Sequence, residues 1–274
     1  MRGRIFTCAV HGLLALGPLW APAAAQAQAR SSVFLEDLTW TEVRDLVRAG
    51  AVTIIIPVGG VEQSGPHMAL GKHDVRVRLL ADRIARSLGR TLVAPVVAYV
   101  PEGSVQPPTA HMRFPGTITV PDAAFRMVLA SAAVSLQHAG FRDIVLIGDH
   151  GGYQSDLKAV ADQLNQSWAK TPARAHYIGA YYTAAQAGFG AELRRRGFAA
   201  KEIGTHAGLA DTSLSLALEP GLVRPQALRQ PGSSSPANGV YGDPRRASAA
   251  LGQIGVAGIV KSTVAAIRAE QAGH

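Results

Sequence analysis

VTIIIPV, residues 52–58, runs straight into Gly59-Gly60-Val61-Glu62. A run this short, apolar and β-branched, without polar alternation, predicts a strand buried on both faces. Outward from it the pattern changes period. Leu79, Leu80, Ile84 and Leu88 recur at helical spacing, predicting a helix over 75–88. TLVAPVVA, residues 91–98, reads as a second strand, and DIVLI, residues 143–147, as a third buried one. A fourth strand is expected over 175–182. Between and after them, helices are predicted over 122–138, 153–168, 184–196, 212–218 and 247–269, with Pro121-Asp122 opening the first of these and Gly140 closing it. Strands alternating with helices imply β-α-β crossovers, a mostly parallel sheet and an α/β fold of three layers, α/β/α. Gln230–Asn238 (QPGSSSPAN) reads as a loop inside that domain, because too little chain follows it to build a second core.

In an open parallel sheet, ligands bind beyond the carboxyl ends of the strands. The polar residues gather there. Glu62, Ser64, His67, His73 and Asp74 follow the first strand, Asp149, His150 and Tyr153 the third, and His206 and Asp211 come from a later loop. Each has two readings. Glu62 directly after a buried strand is costly if unpaired, which favours a ligand role. His150 between glycines is a ligand or a satisfied core histidine. Asp74 is a ligand or a helix cap, as is Asp211 before Thr212-Ser213. His206 is catalytic or a packing residue, His67 a ligand or a loop brace, and His111 a pocket residue or part of a turn. Imidazole and carboxylate donors without thiolates suit Zn, Mn or Fe. Glu62, His73, Asp74 and His150 are the expected metal ligands. His206 and Asp211 are the expected proton-transfer residues, and Ser64, His67, His111 and Tyr153 the expected pocket lining. Such a site favours hydrolysis of an amide by water that a divalent ion activates.

Composition removes other classes. The 274 residues are 47% hydrophobic and 17% charged, as in a folded globular chain. The net charge of +8 is dispersed apart from Arg194-Arg195-Arg196, a solvated helix end, so nucleic acid is not an expected partner. No Gly-x-Ser-x-Gly elbow, dinucleotide fingerprint or Walker loop occurs. Residues 1–29 place Arg2 and Arg4 before an apolar stretch, then Ala25-Gln26-Ala27 and Ala27-Gln28-Ala29, the order of a secretory signal cleaved near Ala27–Ala29. That predicts a secreted or periplasmic domain over 30–274. No other segment is expected to reach membrane length, so no stable membrane insertion is expected after cleavage. Cys8 is the single cysteine and lies within the signal, which leaves no thiol for disulfides or metal.

Taken in order, Pro57-Val58-Gly59 with Glu62-Gln63-x-Gly65-Pro66-His67, Phe114-Pro115-Gly116-Thr117, His150-Gly151-Gly152, His206-Ala207-Gly208 with Thr212-Ser213, and Gly239–Pro244 resemble the creatininase (creatinine amidohydrolase) family over about residues 52–265. The resemblance implies an α/β/α fold, a homo-oligomer, and a two-metal site that hydrolyses cyclic amides or related C–N bonds of small polar substrates. By position, Glu62 matches the family's first carboxylate ligand, His150 its histidine after the central strand, and His206 a histidine on the substrate side. Three positions depart: Ser64 stands where the family has histidine, His73 at its bridging aspartate, and Asp211 at a glutamate. Those changes imply a rearranged ligand set, with His73 replacing the imidazole lost at Ser64 and one ion held more easily than two. A different outcome is a catalytically impaired periplasmic binding or scaffold protein that keeps the fold.

Overall fold

The computed structural model describes residues 32–230 and 233–273. The signal-like segment 1–29 lies outside the described residues, as do Pro231 and Gly232 of the 230–238 loop.

The decisive strand, β1 (Thr53–Val58), is buried along its whole length. It pairs in parallel with β2 (Thr91–Val93) on one side and β3 (Asp143–Gly148) on the other, Ile55 lying opposite both Val93 and Val145. β4 (Arg174–Tyr177) adds to β3 in parallel, giving the order β2-β1-β3-β4. Successive side chains point to opposite faces of the sheet, so β1 feeds two cores. Ile54, Ile56 and Val58 pack with Phe125 and Leu129 of α3 (Asp122–His138) and Leu157 and Val160 of α4 (Gln154–Ser167). Ile55 joins Val93, Val145 and Ile147 against Val77, Leu80 and Ile84 of α2 (Lys72–Leu88). On that second face also lie α5 (Phe189–Arg195), α6 (Leu209–Leu218) and the long α7 (Ala249–Ala272). The result is the expected three-layer arrangement with a parallel sheet.

Four details differ from the sequence reading. The second strand ends at Val93 rather than Ala98, because Pro95 has no N–H for a ladder and only an isolated bridge, Val58 to Val97, follows. The fourth strand stops at Tyr177, and the chain turns into helix from Ala180. α1 (Trp40–Arg48) was not expected from hydrophobic spacing; its signal is the capping box formed by Thr39 and Glu42. Finally, α7 does reach membrane length, with 24 residues and a window of mean hydropathy 1.5. It is a core helix here: Val256, Ile259, Val264 and Ile267 are buried against the second face.

α7 and α6 approach backbone to backbone. A Cβ added at Gly252 would lie 1.9 Å from the Ser213 carbonyl oxygen. Gly252→Ala is therefore expected to cost about 1–3 kcal/mol through overpacking. A lowered urea midpoint at unchanged slope would report it; an unchanged midpoint would mean that the two helices separate freely.

Candidate metal centre

Three strand ends and two later loops meet over the carboxyl edge of the sheet. Glu62 follows β1 through Gly59-Gly60, Glu102 follows β2, and His150 follows β3. His111 stands on a 3-10 turn, Ala110–Arg113, and His206 on the loop before α6, where it forms a bridge with Tyr241. The first turns of α2 bring Lys72, His73, Asp74 and Arg76. Gly59 permits this approach, since a Cβ there would sit 2.1 Å from Asp74 Oδ1 and 2.8 Å from the Asp74 Cα.

One half of the site is a closed ion network. His73 is 3% exposed; its Nε2 lies 2.6 Å from Glu62 Oε1 and its Nδ1 2.5 Å from Asp149 Oδ2. Burial and the Lys72 charge oppose protonation of that ring, but the two carboxylates outweigh them and raise its pKa. Lys72 Nζ donates to Asp211 Oδ2 at 3.0 Å and lies 3.5 Å from Glu62 Oε1. Arg76 spans Asp149 and Asp211, with Nη2 2.7 Å from Asp149 Oδ2 and Nη1 2.6 Å from Asp211 Oδ1. Tyr181 donates to Asp149 Oδ1, and the Ala207 N–H to Asp211 Oδ2. Burial raises both aspartates, yet Arg76 and His73 hold Asp149, and Lys72 and Arg76 hold Asp211, below the usual carboxylate range.

The other half is open in donors. Glu62 Oε2, Glu102 Oε1 and Glu102 Oε2 are buried and have no hydrogen-bond partner among the described residues. His111 Nε2 lies 3.0 Å and His150 Nε2 3.4 Å from Glu62 Oε2, and His150 Nδ1 lies 3.5 Å from Glu102 Oε1. Glu62, Glu102, His111 and His150 each offer one ligand atom, and these atoms lie within 4.8 Å of one another. Three buried carboxylate oxygens without hydrogen bonds, beside two imidazoles, are costly alone and suit a divalent cation. Burial lowers the His150 pKa to about 4 and also lowers that of His111, which favours the neutral rings that a metal needs. Burial also acts on Glu62, but His73 and Lys72 overcome it and hold that carboxylate well below its usual value.

Of the expected ligands, the structure thus brings Glu62 and His150 together with His111. His73 stands beside them with both nitrogens taken by carboxylates. Asp74 stays out: its Oδ1 accepts from the Gly60 N–H at 2.8 Å and braces the loop. Of the expected pocket residues, Tyr153 is enclosed, not exposed to a ligand; its hydroxyl donates to Gly59 O at 2.6 Å and accepts from the His150 N–H at 3.0 Å, clamping two strand-end loops. His67 is equally enclosed, with Nε2 3.0 Å from Thr212 Oγ1, and Ser64 is fully buried with a hydroxyl that has no hydrogen-bond partner among the described residues. His206 reaches the rim. Its Nε2 donates to Gln63 O at 2.9 Å, which leaves Nδ1 3.7 Å from Glu62 Oε1 as an acceptor. Burial and the Lys72 charge push its pKa down to about 3.

Glu102, Lys72 and Arg76 went unread in the sequence. The α2 residues carry a signal, because positions 73, 76, 77, 80, 81 and 84 form one buried stripe. A histidine and an arginine within an apolar stripe imply buried ion pairs. Glu102 sits just past the region read as a strand, where Pro95 blurs the strand end.

Burial, then the neighbouring Glu62 charge, push Glu102 up to about 9 from an ordinary 4.5. The folded chain thus favours neutral Glu102, and this contribution to stability is complete below about 4.5 and is lost as pH rises toward about 9. In metal-free protein the melting temperature is expected to decline over that window, and Glu102→Gln, which never ionises, is expected to flatten the decline. Parallel profiles for the two chains would show that Glu102 is not the group responsible.

A family model described as creatininase, creatinine amidohydrolase, matches residues 36–267. The chain is 30% identical over 122 residues to a 3-dehydro-scyllo-inosose hydrolase of Thermotoga maritima, covering 44% of this chain and 37% of that protein. It is 32% identical over 119 residues to a creatinine amidohydrolase of Pseudomonas putida, covering 43% of this chain and 45% of that protein. It is also 32% identical over 111 residues to a mycofactocin precursor peptide peptidase of Mycolicibacterium smegmatis, covering 39% and 42%. Each match spans less than half the length of these relatives. Among solved structures, a creatininase named for manganese superposes with a TM-score of 0.72 at 25% identity, covering 88% of this chain and 99% of that one. A mutant creatininase of Zn–Zn type superposes with a TM-score of 0.71 at 26% identity, covering 88% and 98%.

Proposed function

The chain belongs to the creatininase family, and from that premise we propose that it is a metal-dependent hydrolase cleaving the C–N bond of a small polar amide or cyclic amide. The observation that carries this reading is the set of buried, unpartnered oxygens on Glu62 and Glu102, facing neutral His111 and His150. Those four residues would hold a Zn, Mn or Fe ion, which supplies polarisation of a carbonyl and a lowered pKa for water.

The chain's own residues divide the remaining work. Asp211 is already neutralised by Lys72 and Arg76 and accepts no further proton at neutral pH. The proton-transfer role expected of it is therefore not available to it, and Glu102, one of the residues that would hold the ion, would be ionised there. In the metal-free chain its carboxyl holds a proton up to about 9. His206 is neutral with Nδ1 as an acceptor; it orients a substrate N–H at the rim. Lys72 and His73 fix the Glu62 carboxylate in one position.

Purified chain should carry a divalent ion by elemental analysis. Chelator treatment should abolish hydrolysis across a panel of small linear and cyclic amides, and Zn or Mn should restore it. No bound ion and no restored turnover would sink the proposal. A second reading, a small-molecule-binding or scaffold protein without turnover, is favoured by the fixed cation at Lys72 and by His73 held between two carboxylates; a ligand bound and recovered unchanged would support it. The N-terminal pattern supports export, with the chain from about residue 30 as one domain. N-terminal sequencing of protein from the periplasmic fraction or medium tests the cleavage. A homo-oligomer is expected, and light scattering reads it.

A further inference from the structure

We propose that this chain holds one divalent ion per subunit, not two, because Lys72 and Arg76 serve as built-in cations on the neighbouring carboxylates and His73 occupies the space between two of them. The inference rests on the metal-dependent reading above and deepens it.

The geometry divides the carboxylate oxygens into two sets. Asp149 Oδ1 accepts from Tyr181, and Asp149 Oδ2 lies against His73 and Arg76. Asp211 Oδ1 accepts from Arg76, and Asp211 Oδ2 from Lys72 and the Ala207 N–H. Glu62 Oε1 lies 2.6 Å from His73 Nε2 and 3.5 Å from Lys72 Nζ. Each of these oxygens is engaged by a group covalently part of the fold. The remaining set, Glu62 Oε2 and both oxygens of Glu102, is buried and has no partner among the described residues, and one ligand atom from each of Glu62, Glu102, His111 and His150 falls inside a single 4.8 Å cluster. That is the donor complement of a single ion.

A second ion would have to displace an ammonium or an imidazole held between two carboxylates. His73 is an imidazole, and an imidazole cannot bridge two cations as a carboxylate does. Lys72 is fully buried, so its charge is little screened and acts on the cluster through the shared Glu62. It plays the electrostatic part that a second cation would otherwise take, and it weakens the ion beside it by repulsion.

The test is a count and an affinity, neither of which depends on turnover. Metal-stripped protein is titrated with zinc chloride against a chromophoric chelator, desalted, and analysed for zinc per chain. One ion per chain is expected, with no second site within a hundredfold in affinity. Lys72→Met removes the repelling charge and keeps an apolar stem, and it is expected to bind zinc about tenfold or more tightly. Two ions of comparable affinity in the wild-type chain would overturn the inference while leaving the hydrolase reading intact. Zero ions would overturn both. An unchanged affinity in a folded Lys72→Met chain, checked by circular dichroism, would overturn the role given to Lys72. Should that variant not fold, the wild-type count alone still decides between one ion and two.

Discussion

Glu62→Ala is expected to lose the bound ion and to drop hydrolysis to the uncatalysed level. Glu62 is the member shared by both halves of the site. Its Oε2 faces the candidate cation cluster without a hydrogen bond among the described residues, and its Oε1 answers His73 at 2.6 Å and Lys72 at 3.5 Å. Truncation removes a ligand and also strands a buried ammonium and a histidine on one carboxylate each. Breaking one partner out of a buried ion pair typically costs about 3–5 kcal/mol, so lower stability accompanies the loss of function. Glu62→Gln separates the two effects. The amide keeps the shape and its carbonyl still faces Lys72, but the charge that recruits a cation is gone. Zinc per chain should fall in both variants, whereas the melting temperature should fall furthest in Glu62→Ala. A Glu62→Gln chain that keeps its ion and its turnover would remove Glu62 from the ligand set.

The dependence on Glu62 also shows how far the sequence was legible. β1 could be read because a β-branched run carries its own strand signal, and it lies within one residue of the predicted start. α3 matches its predicted bounds, Asp122–His138, because Pro121 sets the entry and Gly140 takes the positive φ that ends it. Glu62 and His150 could be placed in the site from the strand-end rule alone. Glu102 could not, since its strand is only three residues long and the path from Val93 to Pro101 is irregular. Asp211 and Asp74 are carboxylates near the site whose roles depend on which way they face. Asp211 faces two cations and Asp74 a backbone N–H, and no local pattern encodes either direction. The family resemblance supplied the order of motifs, but the charge balance around His73 became visible only when α2 was docked on the sheet.

That charge balance is what Arg76→Met should disturb most, with an expected loss of about 3–5 kcal/mol from a broken buried network. Arg76 is 1% exposed and is the link between Asp149 and Asp211. Methionine fills much of the same volume, so the cost comes from charge rather than from a cavity. Without the guanidinium, Asp149 keeps His73 and Tyr181, and Asp211 keeps Lys72 and the Ala207 N–H. One buried negative charge is left uncompensated. The sign with pH follows from the two aspartates. Both are held below the ordinary carboxylate value when folded, so their contribution is present above about 4 and is lost as pH falls through the folded values. Arg76→Met weakens that contribution, so the stability gap to the wild-type chain should be widest near pH 7 and should narrow as the medium is acidified below about 4. Urea unfolding at a series of pH values reads the gap directly. A gap of constant size would assign the loss to packing of the side-chain stem instead of its charge. Zinc affinity should fall much less than stability, because Arg76 reaches the ion cluster only at second hand, through Asp149 and His73 and through Asp211 and Lys72, and a variant that lost its ion while keeping its stability would contradict that order of contacts.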